Sequence, residues 1–234
     1  MGRAKGVGAA PHGAGLLNGA LATLAYASLQ SSWTARDPGG KIAGMNEDEL
    51  IAFGLELTTL KRVPRSGWLL RGVPHVESVA EHAYGTATLA LALCDILNAS
   101  GELAHPLDVE RVLTIALLHD LAEARLTDLP GPARLLIPDE VKSRAETIAM
   151  TSILTALPSA ARLLSAWREF EEDSTPEGCL VRDADKLEMM LQCTRYERSG
   201  VRGLDEFWVA VDAYLWHYPL CAAVYARLKA RRNA

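Results

Sequence analysis

The sequence has few cysteines, and no two of them lie close together. A CxxC pair is absent, and the four cysteines in 234 residues are Cys94, Cys179, Cys193 and Cys221. This spacing does not fit a zinc–thiolate knuckle or a disulfide framework, and it favours a reducing cytoplasm. We therefore predict a cytoplasmic protein.

No apolar run in the sequence is long enough for a membrane-spanning helix, which needs roughly 20 residues. The nearest is residues 13–29, which follow Arg3 and Lys5 much as the apolar part of a signal peptide would. That stretch contains several glycines, an asparagine and no good cleavage site. We predict neither a membrane segment nor secretion.

An excess of positive charge is also missing. The chain has 24 Lys and Arg against 29 Asp and Glu, which gives a net charge of -5 at pH 7. A general nucleic-acid binder normally has a basic surface, so we predict no nucleic-acid partner. A small anionic substrate is compatible with these numbers, because a local basic loop can bind it.

The composition changes near residue 45, and the change predicts two regions. Gly, Ala, Ser and Pro dominate residues 1–44, which we predict to be a flexible extension of low order without a role in the chemistry. Residues 45–234 have apolar positions at helical spacing, no strand-like alternation and 49% hydrophobic residues in the chain as a whole. They predict one all-α domain.

Capping residues mark where the first helices of this domain begin. Asn46 with Glu49, and Ser78 with Glu81, have the spacing of capping boxes, and Asp108 can cap a third helix. A loop rich in helix breakers separates the first two helices. Apolar spacing predicts further helices over residues 138–157, 159–172, 177–198, 204–217 and 219–231.

The third helix carries the first chemical signal. Residues 112–118 are apolar except for one threonine, and His119 and Asp120 follow directly. Burying an imidazole beside a carboxylate costs several kcal/mol unless both find a partner, and a cation satisfies both. Glu123, four residues after His119, is directed toward the same space. Taken alone, the pair is weak evidence for a metal and favours a hydrogen-bonded histidine in the core.

Two residues on other helices favour the metal interpretation. His82 lies in the first turns of the second helix, and Asp185 lies in a mostly apolar helix. Asp183 is the alternative to Asp185, and we interpret it as a solvated charge on the helix surface. Histidine, histidine–aspartate and a distant aspartate form a mixed nitrogen and oxygen set that suits a divalent transition metal. The pattern resembles the HD superfamily of metal-dependent phosphohydrolases.

Longer fragments resemble the HD-domain 5′-deoxynucleotidase family, in order, from about residue 46 to 217. They are Leu60-Lys61-Arg62-Val63-Pro64-Arg65-Ser66-Gly67-Trp68, Glu77-Ser78-Val79-Ala80-Glu81-His82, His119-Asp120-Leu121-Ala122-Glu123, Asp128-Leu129-Pro130 and Asp185-Lys186-Leu187-Glu188-Met189. The resemblance implies that the metal ligands are His82, His119, Asp120 and Asp185. It also implies a homodimer and favours Co or Mn, while the ligand set admits Zn, Fe or Ni as well.

The resemblance assigns catalytic roles to two more carboxylates. Glu123 is expected to transfer a proton and Asp128 to hold the attacking water, although the two roles are interchangeable at this stage. Arg65 is expected to bind the phosphate, because a guanidinium matches phosphate oxygens bidentately. Trp68 either stacks on the base or sugar of the substrate or anchors its loop in the core.

Histidine positions indicate one ion. Two-metal HD proteins generally take extra histidines from between the HD pair and the last aspartate, and residues 121–184 contain none. We therefore predict a single-metal hydrolase of deoxynucleoside 5′-monophosphates. Two alternatives stay open: the same site acting on another nucleotide or small phosphate ester, and a non-catalytic nucleotide-binding scaffold that keeps the ion.

Overall fold

The computed structural model describes residues 46–232, which form eleven helices and no strand. In chain order these are α1 (Glu47–Leu60), α2 (Ser66–Leu69), α3 (Val79–Ser100), α4 (Val109–Leu118), α5 (Glu123–Leu126), α6 (Gly131–Arg134), α7 (Asp139–Leu154), α8 (Ala160–Glu171), α9 (Pro176–Arg198), α10 (Asp205–Asp212) and α11 (Pro219–Arg232). The predicted all-α fold is confirmed. The predicted extension over residues 1–44 lies outside the described residues. Within residues 46–232, no helix is long and apolar enough to cross a membrane.

The capping residues predicted from the sequence do cap helices. Asn46 and Ser78 each accept a hydrogen bond from the backbone N–H three residues on, and Glu49 and Glu81 complete both capping boxes. Asp108 accepts from the N–H of Arg111 at the start of α4. These interactions fix the first residues of three helices without reference to the rest of the fold.

Helix α9 is the centre of the domain. It packs against α3, α4, α8, α10 and α11, and residues around its whole circumference are therefore buried. Two aspartates on this helix, Asp183 and Asp185, are buried as well. A carboxylate inside a packed core needs a partner for its charge. Both aspartates of α9 must therefore have hydrogen-bonding or charged partners on neighbouring segments.

One helix boundary differs from the prediction. Periodicity predicted a helix over residues 204–217, whereas α10 ends at Asp212. The following residues leave the helix, and the backbone N–H groups of His217 and Tyr218 donate to the carboxylate of Asp183 at 3.1 and 2.9 Å. A distant acceptor on α9 therefore satisfies donors that the local sequence pattern assigns to a helix.

Gly178 allows the close approach between α9 and the end of α8. A Cβ atom built at Gly178 would lie 2.4 Å from the carbonyl oxygen of Glu169, which is backbone and unable to move aside. We expect Gly178→Ala to reduce the free energy of unfolding by about 1–3 kcal/mol. Gly54→Ala is the matched control in α1, where a Cβ meets nothing within 4 Å. It should increase stability by up to about 1 kcal/mol.

Chemical denaturation of the two glycine variants and the wild type measures both effects. Loss of stability in Gly178→Ala but not in Gly54→Ala is the expected pattern. Equal stability of Gly178→Ala and wild type would show that the approach of α8 to α9 is looser than these distances imply.

Candidate active site

His82 lies at the start of α3, one turn after the Ser78 cap, and its side chain is fully buried. Its Nδ1 atom lies 2.5 Å from Oε2 of Glu188 on α9. A carboxylate only accepts hydrogen bonds, so Nδ1 carries a hydrogen, and Nε2 is the ring nitrogen left to bind a metal. Gly85 makes room for this contact, because a Cβ there would lie 2.6 Å from Oε1 of Glu188.

His119 is the residue at which α4 ends, and it is also buried. Its Nδ1 atom donates to the carbonyl oxygen of Ala116 at 2.8 Å. Its Nε2 atom therefore also has a free lone pair, and this atom lies 3.4 Å from Nε2 of His82. The two imidazoles direct their Nε2 atoms to one point.

Two carboxylates reach the same point. Oδ2 of Asp120 lies 3.2 Å from Nε2 of His119 and 3.6 Å from Nε2 of His82. Oδ1 of Asp185 lies 3.1 Å from Nε2 of His82, and ligand atoms of His82, His119 and Asp185 all lie within 4.8 Å of one another. The structure thus brings together all four residues that the sequence predicted as metal ligands.

Asp183 does not belong to this group, and its predicted solvation is wrong. The side chain is fully buried and accepts hydrogen bonds from the hydroxyl of Tyr214 and from Nδ1 of His217, both at 2.9 Å. Together with the two backbone N–H groups described above, these bonds explain why a carboxylate is buried there. Asp183 holds residues 213–218 against α9.

The chemistry of the donors fits a divalent cation. Two imidazole nitrogens lie 3.4 Å apart with two carboxylates beside them, and this grouping requires positive charge at its centre, which a divalent cation supplies. Two nitrogens and two oxygens form a set that suits a divalent transition metal. The hydrogen bonds from Nδ1 of each histidine provide the orientation that metal-binding imidazoles usually have.

The charges around the four side chains also indicate a cation site. Burial and the charge of Arg65 act to lower the pKa of His82, but hydrogen bonds with Asp185 and Glu188 outweigh them and raise it to about 10. Burial alone would raise the pKa of Asp120, yet His119, Arg65 and His82 lower it overall. The site therefore stabilises positive charge at the position where a metal ion would bind.

Arg65 and Asp128 lie beside these four residues. Nη1 of Arg65 is 3.2 Å from Oδ2 of Asp120 and 3.6 Å from Oδ1 of Asp128. The Asp128 carboxylate also accepts from the N–H of Ser66 at 2.5 Å, and its carbonyl accepts from the Ser66 hydroxyl. Thr127 has a φ of 63°, a strained conformation for a threonine that turns the chain into Asp128. Asp128 thus also holds residues 61–65, the loop before α2 that contains Arg65 and is called the arginine loop below.

Glu123 begins the short helix α5 and lines a cavity of about 600 Å³. Its Oε2 atom is buried without a hydrogen-bond partner among the described residues. Burial, reinforced by Asp120 and Asp128, raises the pKa of this carboxyl well above its usual value. The same cavity is lined by His119, Asp120, Asp185 and Arg65, so Glu123 is directed at the space in front of the metal-ligand group.

Trp68 is in the core, with 1% of its surface exposed. Its ring lies against Phe207 at a centroid distance of 4.1 Å, and its Nε1 donates to Oε1 of Glu77 at 2.9 Å. Trp68 borders the cavity, but its hydrogen bond and its packing hold the arginine loop. This placement supports the core-anchor interpretation over stacking on a substrate. Lys61 and Arg62 are exposed.

Sequence reasoning missed Glu188 and Glu77. Glu188 follows Asp185 by three residues on α9, and this i,i+3 spacing places both carboxylates on one side of a helix. That spacing was a usable signal. Burial, strengthened by Glu188, raises the pKa of Glu77 to about 7. Glu77 contacts Trp68 across nine positions of irregular chain, and no periodic pattern predicts that contact.

We expect Glu188→Gln to weaken metal binding by about 10–100-fold, the usual effect of losing a residue that supports a metal-ligating histidine. The amide removes the charge that holds the Nδ1 hydrogen of His82. Metal titration of the purified chain measures the change. Glu140→Gln, on the exposed face of α7, serves as control and should bind like wild type. Unchanged affinity in Glu188→Gln would mean that His82 is oriented by packing alone.

An all-helical domain that brings two histidines and two aspartates together at one point is typical of HD-type metal-binding proteins. The model of the HD domain family matches residues 57–210 of this chain. The chain belongs to the HD domain family.

Similar proteins extend this result over most of the chain. The 5′-deoxynucleotidase HDDC2 of Danio rerio is 36% identical over 174 residues, which are 73% of this chain and 82% of the relative. The 5′-deoxynucleotidase hdd1 of Schizosaccharomyces pombe is 35% identical over 159 residues, 64% of this chain and 75% of the relative. A conserved hypothetical protein from Pyrococcus furiosus has a solved structure with a TM-score of 0.65 and 38% identity, covering 79% of this chain and 99% of that one.

Proposed function

We propose that the protein is a metal-dependent phosphohydrolase that releases phosphate from deoxynucleoside 5′-monophosphates. Membership of the HD domain family and curated relatives named 5′-deoxynucleotidase, at 35–36% identity, support this activity. The observation that carries the proposal is the convergence of His82, His119, Asp120 and Asp185 on one point beside the cavity.

The cavity suits a substrate of this size. Its volume of about 600 Å³ lies within the range of about 300–1,000 Å³ that is usual for small-molecule sites. His119, Asp120 and Asp185 line one wall together with Arg65. The remaining lining includes apolar residues such as Phe170, Met189 and Val211. A phosphate can bind at the charged wall while the sugar and base contact the apolar one.

We assign the metal to His82, His119, Asp120 and Asp185. A divalent ion bound there supplies Lewis-acid polarisation of the phosphoryl group. The chain's own residues do the remaining work. Arg65 binds the phosphate oxygens and offsets their charge, while its own position is fixed by Asp128.

Two carboxylates complete the reaction. Glu123, whose pKa is raised by burial and by neighbouring carboxylates, donates the proton that the leaving 5′-oxygen requires. Asp128 orients the attacking water and keeps the arginine loop in place through Ser66. Trp68 acts indirectly, as the anchor of that loop.

The number and identity of the metal ions, the oligomeric state and the cellular location are proposed from the sequence. One ion is favoured because residues 121–184 contain no histidine, and Co or Mn is proposed from the family resemblance. We likewise propose a homodimer from the resemblance and a cytoplasmic location from the spacing of the cysteines. Sedimentation analysis and cell fractionation test the last two.

The activity is tested with purified, metal-stripped full-length chain, reloaded with Co, Mn, Zn, Fe or Ni one at a time. Each form is offered matched pairs of nucleoside 5′-monophosphates that differ only in the 2′-hydroxyl. We expect phosphate release from the 2′-deoxy member of each pair. Equal release from both members would show that the enzyme does not select deoxynucleotides and acts on nucleoside 5′-monophosphates in general. No release with any metal would contradict the hydrolase proposal itself.

A further inference from the structure

A second group of metal-binding side chains lies outside the cavity. We propose that Asp173, Cys179 and His217 form a second site, for a thiolate-binding divalent ion such as Zn²⁺. A carboxylate oxygen, the Sγ atom and a ring nitrogen of these residues lie within 4.8 Å of one another. Cysteine, histidine and aspartate are all common zinc ligands in proteins. The first site contains no sulfur, so the two sites differ in chemistry.

Three separate segments bring these ligands together. Asp173 lies in the turn between α8 and α9, Cys179 in the first turns of α9, and His217 in the segment before α11. Asp173 has a φ of 47°, in the left-handed region that non-glycine residues rarely adopt. The Sγ atom of Cys179 lies 3.5 Å from the carbonyl oxygen of Asp173. The strained turn keeps the carboxylate and the thiol adjacent.

His217 has the support that metal-ligating histidines have in known sites. Its Nδ1 atom lies 2.9 Å from Oδ1 of Asp183, a fully buried carboxylate. Nδ1 therefore carries the hydrogen, and Nε2 keeps the lone pair that a metal needs. A carboxylate behind the histidine fixes both its ring orientation and its tautomer, and it raises the basicity of the ligating nitrogen.

The local charge leaves room for a divalent cation. A bound metal ion displaces the proton of a cysteine ligand, and the Cys179 thiolate with the carboxylates of Asp173 and Asp183 then makes three negative charges. One positive charge opposes them, on Arg182, which pairs with Asp173 at 2.5 Å. A divalent ion would balance this excess. The side chains of Asp173 and His217 are 42% and 28% exposed, so an ion can reach the site from solvent.

Hydrogen bonding to Asp183 accounts for the position of His217 but not for the other two ligands. Neither Cys179 nor Asp173 bonds to Asp183, and a loop held by Asp183 alone has no need of a thiol beside it. An ion bound to all three would join the turn before α9 to residues 213–218. Tyr214 of that segment lines the active-site cavity, so the second ion would stabilise part of the cavity wall.

Cobalt titration distinguishes the two sites. A Co²⁺ ion bound to a thiolate gives a charge-transfer absorption band in the near ultraviolet, whereas Co²⁺ bound only to imidazole and carboxylate does not. We expect full-length wild-type protein, kept reduced with a non-thiol reductant, to bind two equivalents of Co²⁺ and to show this band. Addition of Zn²⁺ should abolish the band.

Three variants test the ligands. Cys179→Ser should lose the band and bind one equivalent. Asp173→Asn should bind the second equivalent more weakly, and asparagine tolerates the same backbone conformation. Cys94→Ser, at a buried cysteine of α3, is the matched control and should keep the band. Circular dichroism confirms that each variant is folded.

The proposal is overturned if wild type shows no thiolate band, if the band survives Cys179→Ser, or if Asp173→Asn binds the second ion like wild type. Should Cys179→Ser not fold, the Asp173→Asn titration decides alone. These outcomes do not test phosphate release at the first site, because the band reports only the sulfur-containing site.

Discussion

Asp185→Asn is expected to abolish binding of the catalytic metal and phosphate release, whereas Asp183→Asn, two residues away on the same helix, is expected to lower stability and leave that metal bound. Asp185 contributes a carboxylate oxygen 3.1 Å from Nε2 of His82. Loss of a direct ligand should exceed the roughly 10–100-fold effect of losing a supporting residue. Two measurements report on the first site in both variants. One is phosphate release, and the other is the equivalent of Co²⁺ that binds without producing the thiolate band.

Asp183→Asn changes a different set of contacts. The Asp183 carboxylate accepts hydrogen bonds from four donors: the N–H groups of His217 and Tyr218, Nδ1 of His217 and the Tyr214 hydroxyl. An amide has one oxygen, so at least one buried donor loses its acceptor, at a cost of about 1–3 kcal/mol. Chemical denaturation measures this. The reverse pattern, with the catalytic metal lost only in Asp183→Asn, would assign the fourth ligand to Asp183.

The sequence predicts the helices well because their signals are local. Capping boxes at Asn46 and Ser78, and apolar positions at helical spacing, depend only on residues within one or two turns of each other. The end of α10 is the informative exception. Its last predicted turn is replaced by contacts with Asp183, which lies 34 positions away from His217, and a local pattern cannot contain that information.

The candidate site divides in the same way. His82, His119, Asp120 and Asp185 are identifiable because buried helices seldom contain such residues without a partner. Which of two nearby aspartates faces the histidines is another matter. Asp183 and Asp185 are both buried and differ by two positions on α9, so the choice depends on how α9 packs against α3 and α11. Only the family resemblance favoured Asp185 before the structure showed its contact with His82.

Trp68 shows the limit for single residues. Its place beside Arg65 suits substrate stacking as well as core packing, and composition does not separate the two. The distinction arises from Phe207 and Glu77, which cover its ring and bind its Nε1 atom. Phe207 lies more than a hundred residues away in the chain. Side-chain environments of this kind follow from tertiary packing, whereas ligand types follow from residue identity.

Glu123→Gln is expected to reduce phosphate release by about 10²–10⁴-fold, the usual contribution of a positioned proton donor, with no loss of bound metal. Glutamine keeps the size of the side chain but has no proton to give at neutral pH. Glu123 is not among the proposed ligands, and its Oε2 has no hydrogen-bond partner among the described residues. The side chain is therefore available to the substrate.

Glu171→Gln is the matched control for Glu123→Gln, since Glu171 lines the same cavity and burial raises the pKa of its carboxyl too. It should keep activity within about tenfold of wild type, because no hydrogen bond or ion pair among the described residues joins it to the proposed metal ligands. Full activity of Glu123→Gln would move proton transfer to Asp128, and equal losses in both variants would reflect the cavity's charge rather than a specific proton donor. If metal-loaded wild type and Glu123→Gln were both inactive, the bound ion would serve a non-catalytic scaffold. Glu123, Asp128 and Arg65 would then have no role in catalysis.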